Sequence, residues 1–305
     1  MGKRANKHRE GRSIIFVVGI IASISAVVAY LLQGKDVALL QPKGYIAQQQ
    51  LNLFLFTLLV LLAIGIPTLI IFYTFAWKYR ETNTKVSREM THQSKFATLS
   101  MWAIPLFFMV ALTTVLWPAT HNLAPQKSLA EGENQPLTIQ VVALRWKWLF
   151  IYPNEKIATV NYVQIPNNTP VVFDMTADEA PMNSFWIPHL GGQLYAMTGH
   201  NNRLNLKATE IGEYTGKAAE INGDGFSGMT FTTRVSTADD YDKWVVDVRQ
   251  NSPPLTTFSY QKLLVPTVNN DPEYFAYAQT DLYATILAKY EGDASHGHSK
   301  EQTHE

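Results

Sequence analysis

The side chains of this chain that could hold a metal or attack a substrate are few and scattered. There are 8 histidines and no cysteine in 305 residues. Without a thiol there is no thiolate nucleophile, no zinc–thiolate or iron–sulfur site, and no copper site built on sulfur bridges. His189 and His200 each lack a neighbouring His or Cys in sequence and read as surface or hydrogen-bonded histidines rather than ligands. His296, His298 and His304 fall in a polar stretch, 292–305, whose composition suits a disordered end better than a weak divalent-metal site. Gly191 and Gly192, like Gly223 and Gly225, have no phosphate-binding context and read as turns. Chemistry carried by this chain alone is therefore hard to find, and the elements that would position it become the better guide.

Those elements announce themselves through charge. Only 16% of residues are charged, against roughly 25% in an ordinary soluble domain. Lys plus Arg equal Asp plus Glu at 25 each, so no basic excess points to nucleic acid. Charges are missing from three stretches, 13–32, 44–77 and 96–126. A bilayer core of about 30 Å needs about 20 apolar residues of helix. The spacing predicts spans over 50–77 and 96–117, with Pro67 and Pro105 tolerated as kinks. Trp77, Tyr79, Trp102 and Trp117 lie near the ends of these spans, where an interfacial belt would place them. Segment 13–32 follows the basic residues of 1–12 and is either a secretory signal or, by its length and want of a cleavage site, an uncleaved anchor helix. The basic loop 78–95 and the basic N-terminus both belong in the cytoplasm by the positive-inside rule. Everything after about His121 is then expected outside, in a periplasm or its equivalent.

From 136 to 250 the pattern changes to short β-rich runs separated by Gly, Pro and Asn clusters. Strands are expected at 137–143, 170–175, 204–208 and 229–235, which argues for a β-sandwich or Greek-key barrel. A helix is expected at 241–250. A linker at Ser252-Pro253-Pro254 leads into a helical extension, 255–291, with a helix over 275–290. The fold class is thus membrane α followed by an extracytoplasmic all-β domain.

Several motifs now carry a resemblance. Phe75-Ala76-Trp77-Lys78-Tyr79-Arg80 closes the second apolar stretch, and Leu144-Arg145-Trp146-Lys147-Trp148-Leu149 follows the first strand. Met182-Asn183-Ser184-Phe185-Trp186-Ile187-Pro188 and Gly225-Phe226-Ser227-Gly228-Met229 complete the set. The chain resembles subunit II of the haem-copper respiratory oxidases over about 39–290, and within them the quinol-oxidase branch of cytochrome o type. The resemblance implies a cupredoxin-like sandwich. In the cytochrome c-oxidising branch that sandwich holds a dinuclear copper centre whose bridging thiolates are needed to share the electron. Laid on this chain, the histidine positions become Asn183 and Phe226 and the cysteine positions Ala218 and Asn222, while Glu220 and Met229 remain. A carboxylate and a thioether without imidazole or thiolate are a poor trap for copper, so Met229 reads as core filler and Glu220 as a loop residue.

The resemblance implies a non-redox subunit of a proton-pumping quinol oxidase, with no cofactor in this chain and with haem and copper in the partner subunit I. Its partners would be subunit I, the smaller membrane subunits and the bilayer of a bacterial inner membrane, and neither cytochrome c nor nucleic acid. In place of a copper-relay role, Trp146-Lys147-Trp148 is expected to be buried against the sandwich and the membrane-facing partner. A lipoprotein cysteine found in many cytochrome o-type relatives is absent after Leu32, so anchoring by that route is excluded. Two other readings stand beside this one: a cytochrome c oxidase subunit II with a degenerate copper site, and a stand-alone cupredoxin-fold membrane binding protein.

Overall fold

The computed structural model describes residues 37–80, 94–130, 135–277 and 281–297, with isolated positions between 23 and 34. The basic N-terminus, most of the first apolar stretch and loop residues 81–93 lie outside the described residues, as do His298 and His304. The chain divides into one unit of residues 1–41 and another of residues 42–305, and the second carries the architecture below.

Two long helices come first, α1 (Tyr45–Lys78) and α2 (Lys95–Asn122). Both are long and apolar enough to cross a membrane. Their large side chains, among them Leu59, Phe72, Trp102 and Phe107, are exposed in this chain. Such surface requires lipid or another apolar partner. The hydroxyls of Thr57, Thr68, Thr74, Thr113, Thr114 and Thr120 each donate to the carbonyl four residues back, which satisfies them without water. At 34 residues α1 runs about 50 Å, well beyond a bilayer core. Its first turn explains the excess over the expected 50–77. Ile46 and Ala47 are buried in the β-domain, and Ala47 N–H donates to the Leu190 carbonyl at 3.2 Å.

The β-domain is a sandwich of two sheets. The larger, in the order β11-β12-β3-β2-β1-β5-β8, contains β1 (Leu137–Leu144), β2 (Lys147–Tyr152), β3 (Ile157–Val160), β5 (Pro170–Ala177), β8 (Asn202–Lys207), β11 (Pro254–Leu255) and β12 (Glu273–Tyr277). The smaller runs β4-β10-β9-β6-β7, from β4 (Tyr162–Pro166), β6 (Asn183–Trp186), β7 (Gln193–Ala196), β9 (Gly212–Ala218) and β10 (Thr230–Ser236). Trp148, Phe150, Tyr152, Phe173 and Phe185 fill the space between the sheets and are fully buried. Phe185 stacks on Phe231 at 5.1 Å, and Trp148 meets Phe185 edge-on at 5.3 Å. Aromatic pairs at these separations stabilise a core beyond their buried area alone.

Strand β2 is apolar on both faces because both are covered. Leu149 and Ile151 face away from the sandwich and pack with Leu255, Tyr260, Leu263, Phe275, Tyr283 and Ile286. These come from the segment after α3 (Ala238–Asn251), through β11, α4 (Thr257–Leu264), β12 and α5 (Leu282–Gly297). A sheet buried on both sides reads as a continuous hydrophobic run rather than as alternation.

Two sequence expectations are corrected here. The extension 255–291 is not wholly helical: residues 273–277 form β12, antiparallel to β3, and the helix starts at Leu282 rather than 275. The open edge of β3 offers backbone partners, and an aromatic run such as Tyr274, Phe275 and Tyr277 fits a half-buried strand. Helix α5 also continues to Gly297, carrying His296 into helix where a disordered end from 292 was expected. Once a helix is nucleated by packing, extending it costs little.

Candidate functional site

Strand β6 pairs with the end of β9, Phe185 opposite Ala218. The chain then leaves β9, turns through a 3-10 segment at Phe226–Gly228 and re-enters the sheet at β10. Backbone bonds close this loop: Ala218 N–H to Met229 O at 3.0 Å, Ala219 N–H to Ser184 O at 2.9 Å and Met229 N–H to Phe226 O at 3.1 Å. Gly223 adopts φ +119°, a conformation that strains any residue with a Cβ.

This loop brings together residues far apart in sequence. The Asn222 amide donates to Asn183 Oδ1 and lies 3.1 Å from Met229 Sδ. Asn183 in turn donates to Pro181 O at 2.5 Å. Asn183 and Met229 are fully buried, Ala218 nearly so, and Phe226 packs against the same core. Glu220 is exposed on the loop. The donor set is therefore two neutral amides, a methyl group, a phenyl ring and one thioether. Soft thiolates and imidazoles bind copper; these groups do not replace them. The His189 ring lies tilted beside Tyr214, centroids 5.3 Å apart, and the His200 ring is 3.1 Å from Thr198 O. Among the described residues no three His, Cys, Asp or Glu side chains are placed to share a metal.

Trp146 roofs the loop from a left-handed backbone, φ 63°. Trp148, two residues on, is in the core, and the Lys147 ammonium between them donates to Val265 O at 3.0 Å. Burial lowers the pKa of Lys147, with Glu273 opposing. A Cβ at Gly225 would stand 2.3 Å from Trp146 Cδ2 and 2.4 Å from Val268 Cγ1. Gly225→Ala is accordingly expected to displace the indole and cost about 1–3 kcal/mol, the range for overpacking. A lower thermal unfolding midpoint of the detergent-solubilised chain, with a changed tryptophan fluorescence, checks this; an unchanged midpoint contradicts it.

A second polar centre escaped the sequence reading. The Asp178 side chain is 2% exposed and accepts hydrogen bonds from Tyr260 Oη at 2.5 Å, Tyr290 Oη at 2.6 Å and Lys289 Nζ at 2.9 Å. Lys289 also bonds Glu179 at 2.8 Å. Burial, then the bond to Asp178, raises the Tyr260 hydroxyl far above its ordinary range. Burial alone would lower the Lys289 ammonium, but its bonds to Glu179, Asp178 and Tyr290 hold it above its usual value. The hub pins α4 and α5 to the end of β5. Its members are 82 and 112 residues apart in sequence, so no local pattern marks it.

Comparison with known proteins places these features in a family. A family described as the COX Aromatic Rich Motif matches residues 249–294, the segment that supplies Tyr260, Lys289 and Tyr290 to the hub. Among solved structures, the periplasmic domain of subunit II of cytochrome oxidase of Bradyrhizobium japonicum aligns at 21% identity, covering 40% of this chain and 94% of its own, with a TM-score of 0.36. The cytochrome bo(3) ubiquinol oxidase subunit 2 of Pseudomonas putida is 42% identical over 86% of this chain and 83% of its own length. The ubiquinol oxidase subunit 2 of Acetobacter aceti is 40% identical over 86% of this chain and 85% of its own. With identity of that order sustained across most of both chains, this protein belongs to the ubiquinol oxidase subunit 2 family.

Proposed function

We propose that this chain is the non-redox second subunit of a proton-pumping terminal quinol oxidase of the aerobic respiratory chain. In this reading quinol is oxidised and O₂ reduced to water in subunit I, which holds the haems and copper. The present chain braces subunit I with α1 and α2 and caps its outer face with the β-domain. The observation that carries the reading is the donor set around Asn183, Ala218, Asn222, Phe226 and Met229. These are the copper-ligand positions of the cytochrome c-oxidising branch, with only Glu220 and Met229 retained, and a dinuclear thiolate-bridged centre has nothing to form on. A lipid-soluble donor reaches subunit I from the bilayer and needs no such relay. The names of the relatives, ubiquinol oxidases, support the same donor.

The topology belongs to the proposal: N-terminus and loop 78–95 in the cytoplasm, β-domain outside the inner membrane. A chain without cysteine is well suited to test it. A cysteine introduced at exposed Glu213 is expected to react with a membrane-impermeant maleimide on intact spheroplasts, and one at Thr82 only after permeabilisation. The reverse pattern would overturn the topology. Affinity-tagged full chain drawn from membranes is expected to bring a haem-bearing polytopic subunit with it in equal amount. Recovery of the chain alone, without haem, would favour a stand-alone binding protein and end the proposal.

A further inference from the structure

We propose that the cavity between α1, α2 and the edge of β8 is a binding site for one anionic glycerophospholipid. The cavity measures about 680 Å³, within the size range of ligand sites. Its walls change character along the helices. On the β-domain side stand Tyr45, Gln49 and Asn52 of α1 with Asn122 of α2. Phe56, one turn beyond Asn52 on α1, and Val115, two turns before Asn122 on α2, line the deeper part; Leu53 sits next to Asn52, and Leu123 and Leu129 add apolar surface beside Asn122 and Lys127. From Tyr45 to Phe56 the α1 wall covers about 16 Å of helix and turns from polar side chains at its start to apolar ones towards the middle of the span. A headgroup, its glycerol and the first methylenes of an acyl chain have the same sequence of polarity.

The rim supplies the charge. Lys127 and Lys207 line it, and among its described lining residues they are the only charged ones. Both are held there by the fold. Strand β8 is the edge of the larger sheet and is stitched to the start of α1 by the Gly44–Ala208 bridge, which lowers Lys207 to the cavity mouth. The turn after α2 is fixed by Asn205, whose backbone and side-chain N–H groups both donate to Pro125 O, at 2.9 and 3.0 Å. Lys127 then folds back to donate to Asn122 Oδ1 at 2.6 Å. An ammonium has three donors, so that bond leaves capacity for phosphate oxygens. Two cations over an apolar slot at the membrane boundary suit an anionic lipid rather than a zwitterionic one, because a net negative headgroup gains from both ammonium groups with no choline cation to oppose them.

The inference goes beyond the proposed function but rests on its claim that α1 and α2 lie in the bilayer. It is tested on the intact oxidase complex in detergent, by native mass spectrometry with added phosphatidylglycerol or phosphatidylcholine. The parent complex is expected to retain one phosphatidylglycerol through mild delipidation and to take up phosphatidylcholine more weakly. K127Q/K207Q is expected to weaken phosphatidylglycerol binding by about 30-fold, two lysines' worth of attraction at a membrane surface. K127R/K207R should keep it. Unchanged phosphatidylglycerol binding in K127Q/K207Q, or equal preference for phosphatidylcholine, overturns the proposal. So does displacement by soluble glycerol phosphate, which would mark a free-anion site, or by a short-chain quinol. Haem content and quinol-driven O₂ uptake of the same variants are expected to match the parent, which separates failure of the lipid site from failure of the functional reading.

Discussion

The variant carrying Asn183→His, Ala218→Cys, Asn222→Cys and Phe226→His is expected to bind copper near-stoichiometrically and turn purple, while the parent chain stays colourless and near background. The loop already has much of the required geometry. Asn183 and Asn222 touch, Met229 Sδ lies 3.1 Å from the Asn222 amide, and the bond from Ala218 N–H to Met229 O fixes position 218 beside them. The donor chemistry is missing, because an amide, a methyl and a phenyl ring cannot supply the soft ligands that select copper. Placing imidazole at fully buried Asn183 costs about 1–3 kcal/mol in overpacking, which metal binding offsets in the loaded form. Copper analysis and visible absorption after loading decide the matter. Near-stoichiometric copper in the parent, or none in a folded four-residue variant, would contradict the assignment of these positions.

Asp178→Ala is expected to release the C-terminal segment from the sheet at a cost of about 3 kcal/mol, since bonds to a charged acceptor are worth about 1.5–3 kcal/mol each and the tyrosines can rehydrate in part. The buried carboxylate holds Tyr260 from α4 and Lys289 and Tyr290 from α5, and it is the acceptor the two tyrosines share. Asp178→Asn keeps one acceptor oxygen and should lose less. The pH dependence has a definite sign. The Lys289 pKa is raised in the folded chain, so its contribution is full below the ordinary lysine value of 10.5 and is lost as pH rises beyond it. The raised Tyr260 hydroxyl acts in the same direction. On the alkaline side the hub should therefore hold through neutral pH and loosen as Lys289 and Tyr260 lose their protons. New protease cuts within 249–294 and a lower unfolding midpoint in Asp178→Ala check the claim; unchanged resistance would contradict it.

Much of the architecture is legible from charge and pattern because the forces behind it are local. A span must be free of charge over 20 or so residues, so α1 and α2 show as gaps, and β1, β5 and β10 show as β-branched runs. What cannot be read locally are the features set by distant partners. Residues 273–277 look helical until the open edge of β3 is known. The first turn of α1 falls outside the predicted span 50–77, and its docking on the Leu190 carbonyl has no local signal. Asn183 and Asn222 are 39 residues apart, and only the family resemblance pairs them. The Asp178 hub and the Lys127–Lys207 rim have no motif at all, since each depends on tertiary placement of common residue types.

The central claim, that the lost copper ligands mark a change of electron donor and leave this chain a scaffold, is tested most directly by O₂ uptake of the purified complex. It should be measured with a short-chain quinol and, separately, with reduced cytochrome c. Rapid uptake with quinol and background uptake with cytochrome c is the predicted result. Rapid uptake with cytochrome c would mean that electrons reach the haems through an outer relay, and the scaffold account would be wrong.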